Sequence, residues 1–73
     1  MSNHLNVRLH NEKLNAHGIS DVYIDRVGRN YVLHNVPAAE LYDFEEFIEC
    51  ELGGFVKAVI PGSRPELRDI CYT

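Results

Sequence analysis

Seventy-three residues leave room for one core, and a chain this short buries only about 60% of the surface its unfolded form exposes, so its stability margin is thin. The composition, 45% hydrophobic and 25% charged with no biased tract, excludes wholesale disorder. A net charge of −4 argues against nucleic acid as the direct target.

Leu5-Asn6-Val7-Arg8-Leu9 alternates apolar and polar, which predicts a short half-buried strand, with an irregular arm as the alternative. From His10 to Gly18 the chain is polar around Leu14 and reads as a loop or a single helical turn. A hairpin follows. Val22–Arg26 and Tyr31–Val36 are rich in β-branched and aromatic residues, and Val27-Gly28-Arg29-Asn30 between them carries the glycine a tight reversal needs. Pro37 ends the second strand because it has no N–H for a ladder.

Ala38 to Leu52 is predicted helical. Pro37 suits its start, and Gly53-Gly54 supplies a left-handed stop. Leu41, Phe44, Ile48 and Leu52, widened by Phe47, form an apolar stripe, while Asp43, Glu45, Glu46 and Glu49 fill the opposite arc with Tyr42 and Cys50. Phe55–Ile60 reads as a strand stopped by Pro61-Gly62. Ser63 to Thr73 shows no clean period and is read as a tail, mobile when unbound. The expectation is an α+β fold in which a small antiparallel sheet is packed by one amphipathic acidic helix. Residues 1–62 form the single domain and 63–73 the C-terminal tail.

Chemistry finds little purchase. His4, His10, His17 and His34 match no compact ligand spacing, so no metal site or cofactor is expected. Ser20 and Ser63 sit in loop contexts without a nucleophile motif, and the carboxylates around Cys50 disfavour its thiolate. Gly28 and Gly53-Gly54 fall at turns and a helix end, the wrong order for a phosphate cradle. Cys50 and Cys71 read as free thiols, with a single disulfide closing the tail onto the helix as the alternative. Polar first residues and the lack of a long apolar run lead to the expectation of a soluble, cytoplasmic chain that is monomeric when free.

Charge placement is more informative. Residues 38–54 hold six acidic groups and no basic one. A helix that only faced water would interleave both signs, since like charges four apart, as at Glu45 and Glu49, repel. Such a field suits a basic partner surface, with Tyr42 as an aromatic anchor among Glu45, Glu46 and Glu49. Arg64, Arg68 and Tyr72 are the second set of expected contacts, on a tail that orders on docking. Hairpin edges, with Tyr23 and Tyr31, offer a further surface for strand addition.

The layout of hairpin, acidic helix opened near Pro37 and Gly-Gly exit into Phe55–Ile60 resembles small bacteriophage-encoded transcription regulators that bind bacterial RNA polymerase, such as those of lytic Xanthomonas phages. The resemblance spans roughly residues 5–62 as a pattern of elements and carries over no individual residue. It implies a non-enzymatic host-takeover protein in the bacterial cytoplasm that binds a polymerase subunit. It further implies inhibition through interference with σ factor, and antitermination. The rival readings are a DNA mimic or anti-defence inhibitor that occupies a nucleic-acid-binding site, a structural subunit of a larger assembly, and a small hydrolase or toxin.

Overall fold

The computed structural model describes residues 3–18 and 21–73; Ser20 lies outside them. Its elements run α1 (Asn3–Ala16), β1 (Tyr23–Val27), β2 (Asn30–Pro37), a 3₁₀ turn (Ala38–Glu40), α2 (Leu41–Cys50), β3 (Val56–Pro61) and β4 (Leu67–Tyr72). The four strands form one antiparallel sheet in the order β1-β2-β4-β3, so the fold is α+β as expected.

The hairpin lies where the sequence puts it. Val27 pairs with Asn30 across the two-residue turn Gly28-Arg29, and the φ of +62° at Gly28 belongs to a type II′ reversal. Beyond Pro37 a 3₁₀ turn leads into α2, which buries Phe44 and Ile48. Its end is capped as the Gly-Gly pair predicts. Gly53 takes φ +66°, and the Gly54 N–H donates to the Ile48 carbonyl at 2.9 Å.

Two segments differ from the sequence reading. Leu5–Leu9, expected as a strand, lies inside α1. Among the described side chains of α1, the stripe turned inward is Val7, His10, Asn11 and Leu14, of which Leu14 alone is fully buried and two are polar. Apolar periodicity is therefore missing, and the short alternation at Leu5, Val7 and Leu9 masks the helix. Both polar residues are used. The Asn11 side chain accepts from the Ile24 N–H at 3.0 Å and donates to the Ile24 carbonyl at 3.1 Å, so its amide stands in for a neighbouring strand on the outer side of β1.

The expected tail is the second correction. Leu67–Tyr72 is β4, an interior strand paired with β2 on one side and β3 on the other. Ile70 and Tyr72 have no exposed surface. Arg68 and Asp69 break the period-2 pattern, yet each is satisfied locally. The Arg68 guanidinium donates to the Pro65 and Leu67 carbonyls at 2.7 and 2.8 Å, and Asp69 receives the Asn35 N–H at 3.3 Å.

Leu14, Ile24, Leu33, Val36, Phe44, Ile48, Ile70 and Tyr72 make the core between the two helices and one face of the sheet. The register turns Tyr23, Asp25, His34, Asp69, Ala58 and Ile60 to the opposite face. Replacing Asn11 by Ala is expected to cost about 1–3 kcal/mol, because the buried Ile24 loses a partner for both backbone groups. The check is the denaturation midpoint at unchanged m-value; an unshifted midpoint would show that the bridge contributes nothing.

Candidate functional site

Tyr42, Glu45, Glu46 and Glu49 stand at spacings of three and four on α2, so the helix carries them as one stripe. Its other stripe, with Phe44 and Ile48, is held in the core and fixes the rotation of the helix. Tyr42 is 75% exposed, Glu46 and Glu49 are exposed, and Glu45 is half-buried. Among the described residues no cation lies within ion-pair distance of Glu45, Glu46 or Glu49. The acidic charge that does find a partner is at the helix end. The Glu51 carboxylate is 3.7 Å from His17, and its carbonyl accepts from the Lys13 ammonium at 2.7 Å. A cation there also suits the negative end of the helix dipole.

The second predicted set is divided by the structure. Arg64 is exposed on the loop between β3 and β4, 3.8 Å from Glu66. With Asp21, Glu40 and Phe44 it lines an open groove of about 640 Å³ near the start of α2. Arg68 is half-buried and spends its guanidinium on loop carbonyls, so it shapes the loop. Tyr72 is wholly buried, and the expectation that it contacts a partner is corrected. Its hydroxyl lies 2.8 Å from His10 Nδ1, and its ring stacks on Tyr31 at 5.3 Å. Burial, with Tyr31 beside it, pushes the Tyr72 hydroxyl well above the usual tyrosine range. Burial, and then the Lys13 charge, lowers His10 from its ordinary 6.5, which favours the neutral imidazole beside the Tyr72 hydroxyl. Of the two hairpin tyrosines, Tyr23 is half-exposed on the open sheet face and Tyr31 packs against the core.

A cluster absent from the sequence-based expectations occupies the open face of the sheet. His34 Nδ1 lies 3.0 Å from Asp69 Oδ2, its Nε2 lies 3.5 Å from Asp25 Oδ2, and Tyr23 stacks on the ring at 4.8 Å. One imidazole thereby joins β1, β2 and β4. Period-2 alternation alone would place His34 beside Tyr23 and Asp25; Asp69 could be added only once β4 is known to be a strand. An Asp–His pair can orient an imidazole for base catalysis, but here the second nitrogen faces a carboxylate and not a hydroxyl or thiol. Among the described residues no group of three or more His, Cys, Asp or Glu side chains is placed to hold a metal ion, and Cys50 and Cys71 are free. No helix among them is long and apolar enough to cross a membrane.

No protein-family model matches the chain, and neither the curated proteins nor the solved structures contain a significant match to it.

Proposed function

We propose that this chain is a non-enzymatic regulator that works by binding a protein with a basic surface, and that the partner is a subunit of bacterial RNA polymerase whose transcription it inhibits or redirects. The acidic stripe of α2 carries the reading: Glu45, Glu46 and Glu49 have no cation in ion-pair range among the described residues and share one stripe of the helix with the exposed Tyr42. A domain this small keeps three uncompensated carboxylates on one helix at a cost in self-repulsion, and a basic partner removes that cost on docking. Tyr42 supplies the apolar area that charge alone lacks. The polymerase as the particular partner rests on the resemblance in layout.

The test is a titration of purified bacterial RNA polymerase at moderate salt with the native chain and with Glu45, Glu46 and Glu49 all changed to Lys. Exposed ion pairs contribute about 0.2–1 kcal/mol each, and reversal turns attraction into repulsion, so the triple variant is expected to bind at least roughly ten-fold, and up to about ten-thousand-fold, more weakly. Its melting temperature should not fall, since relieved repulsion offsets the substitutions. Equal binding by both chains would remove α2 from the interface. Absence of polymerase binding, together with capture of DNA-binding proteins displaced by duplex DNA, would move the reading to a DNA mimic.

A further inference from the structure

The sheet has two edges, β1 and β3, and they are treated differently. On β1 the backbone groups of Ile24 point outward, and the Asn11 amide of α1 occupies both. On β3 the ladder alternation can be followed from one end. The Gly62 N–H donates to the Leu67 carbonyl at 3.1 Å, and the register runs on through Ile60 with Asp69 and Ala58 with Cys71. In an antiparallel pair every second residue turns its backbone toward the neighbour, so Gly62, Ile60 and Ala58 face β4. Val59 and Pro61 therefore turn outward.

Pro61 has a carbonyl and no N–H to offer, so the free edge centres on the N–H and carbonyl of Val59. The side chains along it are apolar and uncovered: Phe55 is 68% exposed, Ile60 45% and Val59 38%. Lys57 and Pro61 blunt the two ends, and the middle carries no such protection.

We infer that β3 is a docking edge that takes an extended basic and apolar segment of a protein partner as a fifth, antiparallel strand of the sheet. Charge selects this occupant over a second copy. Each chain carries a net −4, and the six carboxylates of residues 38–54 lie on the segment that leads into β3, so two copies repel while a basic strand is attracted. Backbone pairing at Val59 supplies direction and register, and the flanking apolar side chains supply contact area. The choice of a basic occupant rests on the partner chemistry proposed above; the open edge itself does not.

The experiment reads the edge directly by amide hydrogen exchange and ¹H–¹⁵N spectra, with a blocked peptide of alternating valine and lysine as the probe. Val59 is expected to exchange freely in the chain alone and to slow by about tenfold or more when the peptide binds, while Ile24 is unchanged. Val59→Pro removes an N–H that faces outward, so the variant keeps its dispersed spectrum and loses about tenfold or more in peptide affinity. A valine–glutamate peptide binds more weakly than the lysine one. An unprotected Val59 in the peptide complex, or full affinity in Val59→Pro, overturns the docking edge. Protection of Val59 that grows with chain concentration in the absence of peptide overturns the occupant in favour of a second copy. Failure of the α2 reading is separable, because it appears as equal polymerase binding by the triple Glu→Lys variant and leaves the Val59 readout intact.

Discussion

A chain ended after Gly62 is expected to lose its cooperative fold. Without β4, β3 has no neighbour and the sheet is reduced to the β1–β2 hairpin, which is marginal in water by itself. The core also loses Ile70 and Tyr72, both without exposed surface. Truncating one such side chain costs about 2–5 kcal/mol, whereas a domain of this length holds roughly 4–11 kcal/mol in total. The loss of both, about 4–10 kcal/mol, is as large as most of that margin before any backbone pairing is counted. Circular dichroism and a ¹H–¹⁵N spectrum of residues 1–62 give the answer. A dispersed spectrum with a sigmoidal melt would show that the first 62 residues fold without β4; a collapsed one would show that the last strand completes the domain.

Tyr72 is expected to be the most costly single position. Changing it to Ala should remove about 3–5 kcal/mol, for a large aromatic ring at the meeting point of α1, β2 and β4. Tyr72→Phe keeps the ring and removes the hydroxyl that reaches His10 at 2.8 Å, at about 1–3 kcal/mol. The pH dependence follows from the His10 shift. Its folded value is lowered, by burial first and Lys13 second, so between that value and the ordinary 6.5 the unfolded chain binds more protons than the folded one. This contribution is complete above 6.5 and is lost as pH falls through the lowered folded value. Thermal melts across mildly acidic pH should show the native chain losing stability faster than a His10→Gln variant. Parallel pH profiles would show that His10 is not the group responsible.

How much of this was legible depended on which residues carried the signal. The tight turn at Gly28, the buried stripe of Phe44 and Ile48 and the stop at Gly53-Gly54 are local patterns found where they were expected, and Tyr42, Glu46 and Glu49 are exposed as expected, whereas Glu45 is half-buried at the border of the apolar stripe. Segments whose facing residues are polar were misread. His10 and Asn11 made α1 look like a loop, and Arg68 and Asp69 made β4 look like a tail. Both pairs depend on partners far along the chain or across a turn, and no periodicity within their own segment announces them.

The sequence by itself determined the α+β class, the hairpin, the helix that carries the carboxylates and the face on which it shows them, because propensity, amphipathic period and turn chemistry act over a few residues. Tertiary structure alone decided that the C-terminal strand inserts between β2 and β3, that His34 gathers Asp25 and Asp69, and that Asn11 partners Ile24 on one sheet edge while no side chain among the described residues does so at Val59 on the other. Those outcomes turn on which distant strand satisfies which backbone groups. That choice is made by burial and ladder register across the whole sheet, where polar side chains become acceptable once their partners arrive.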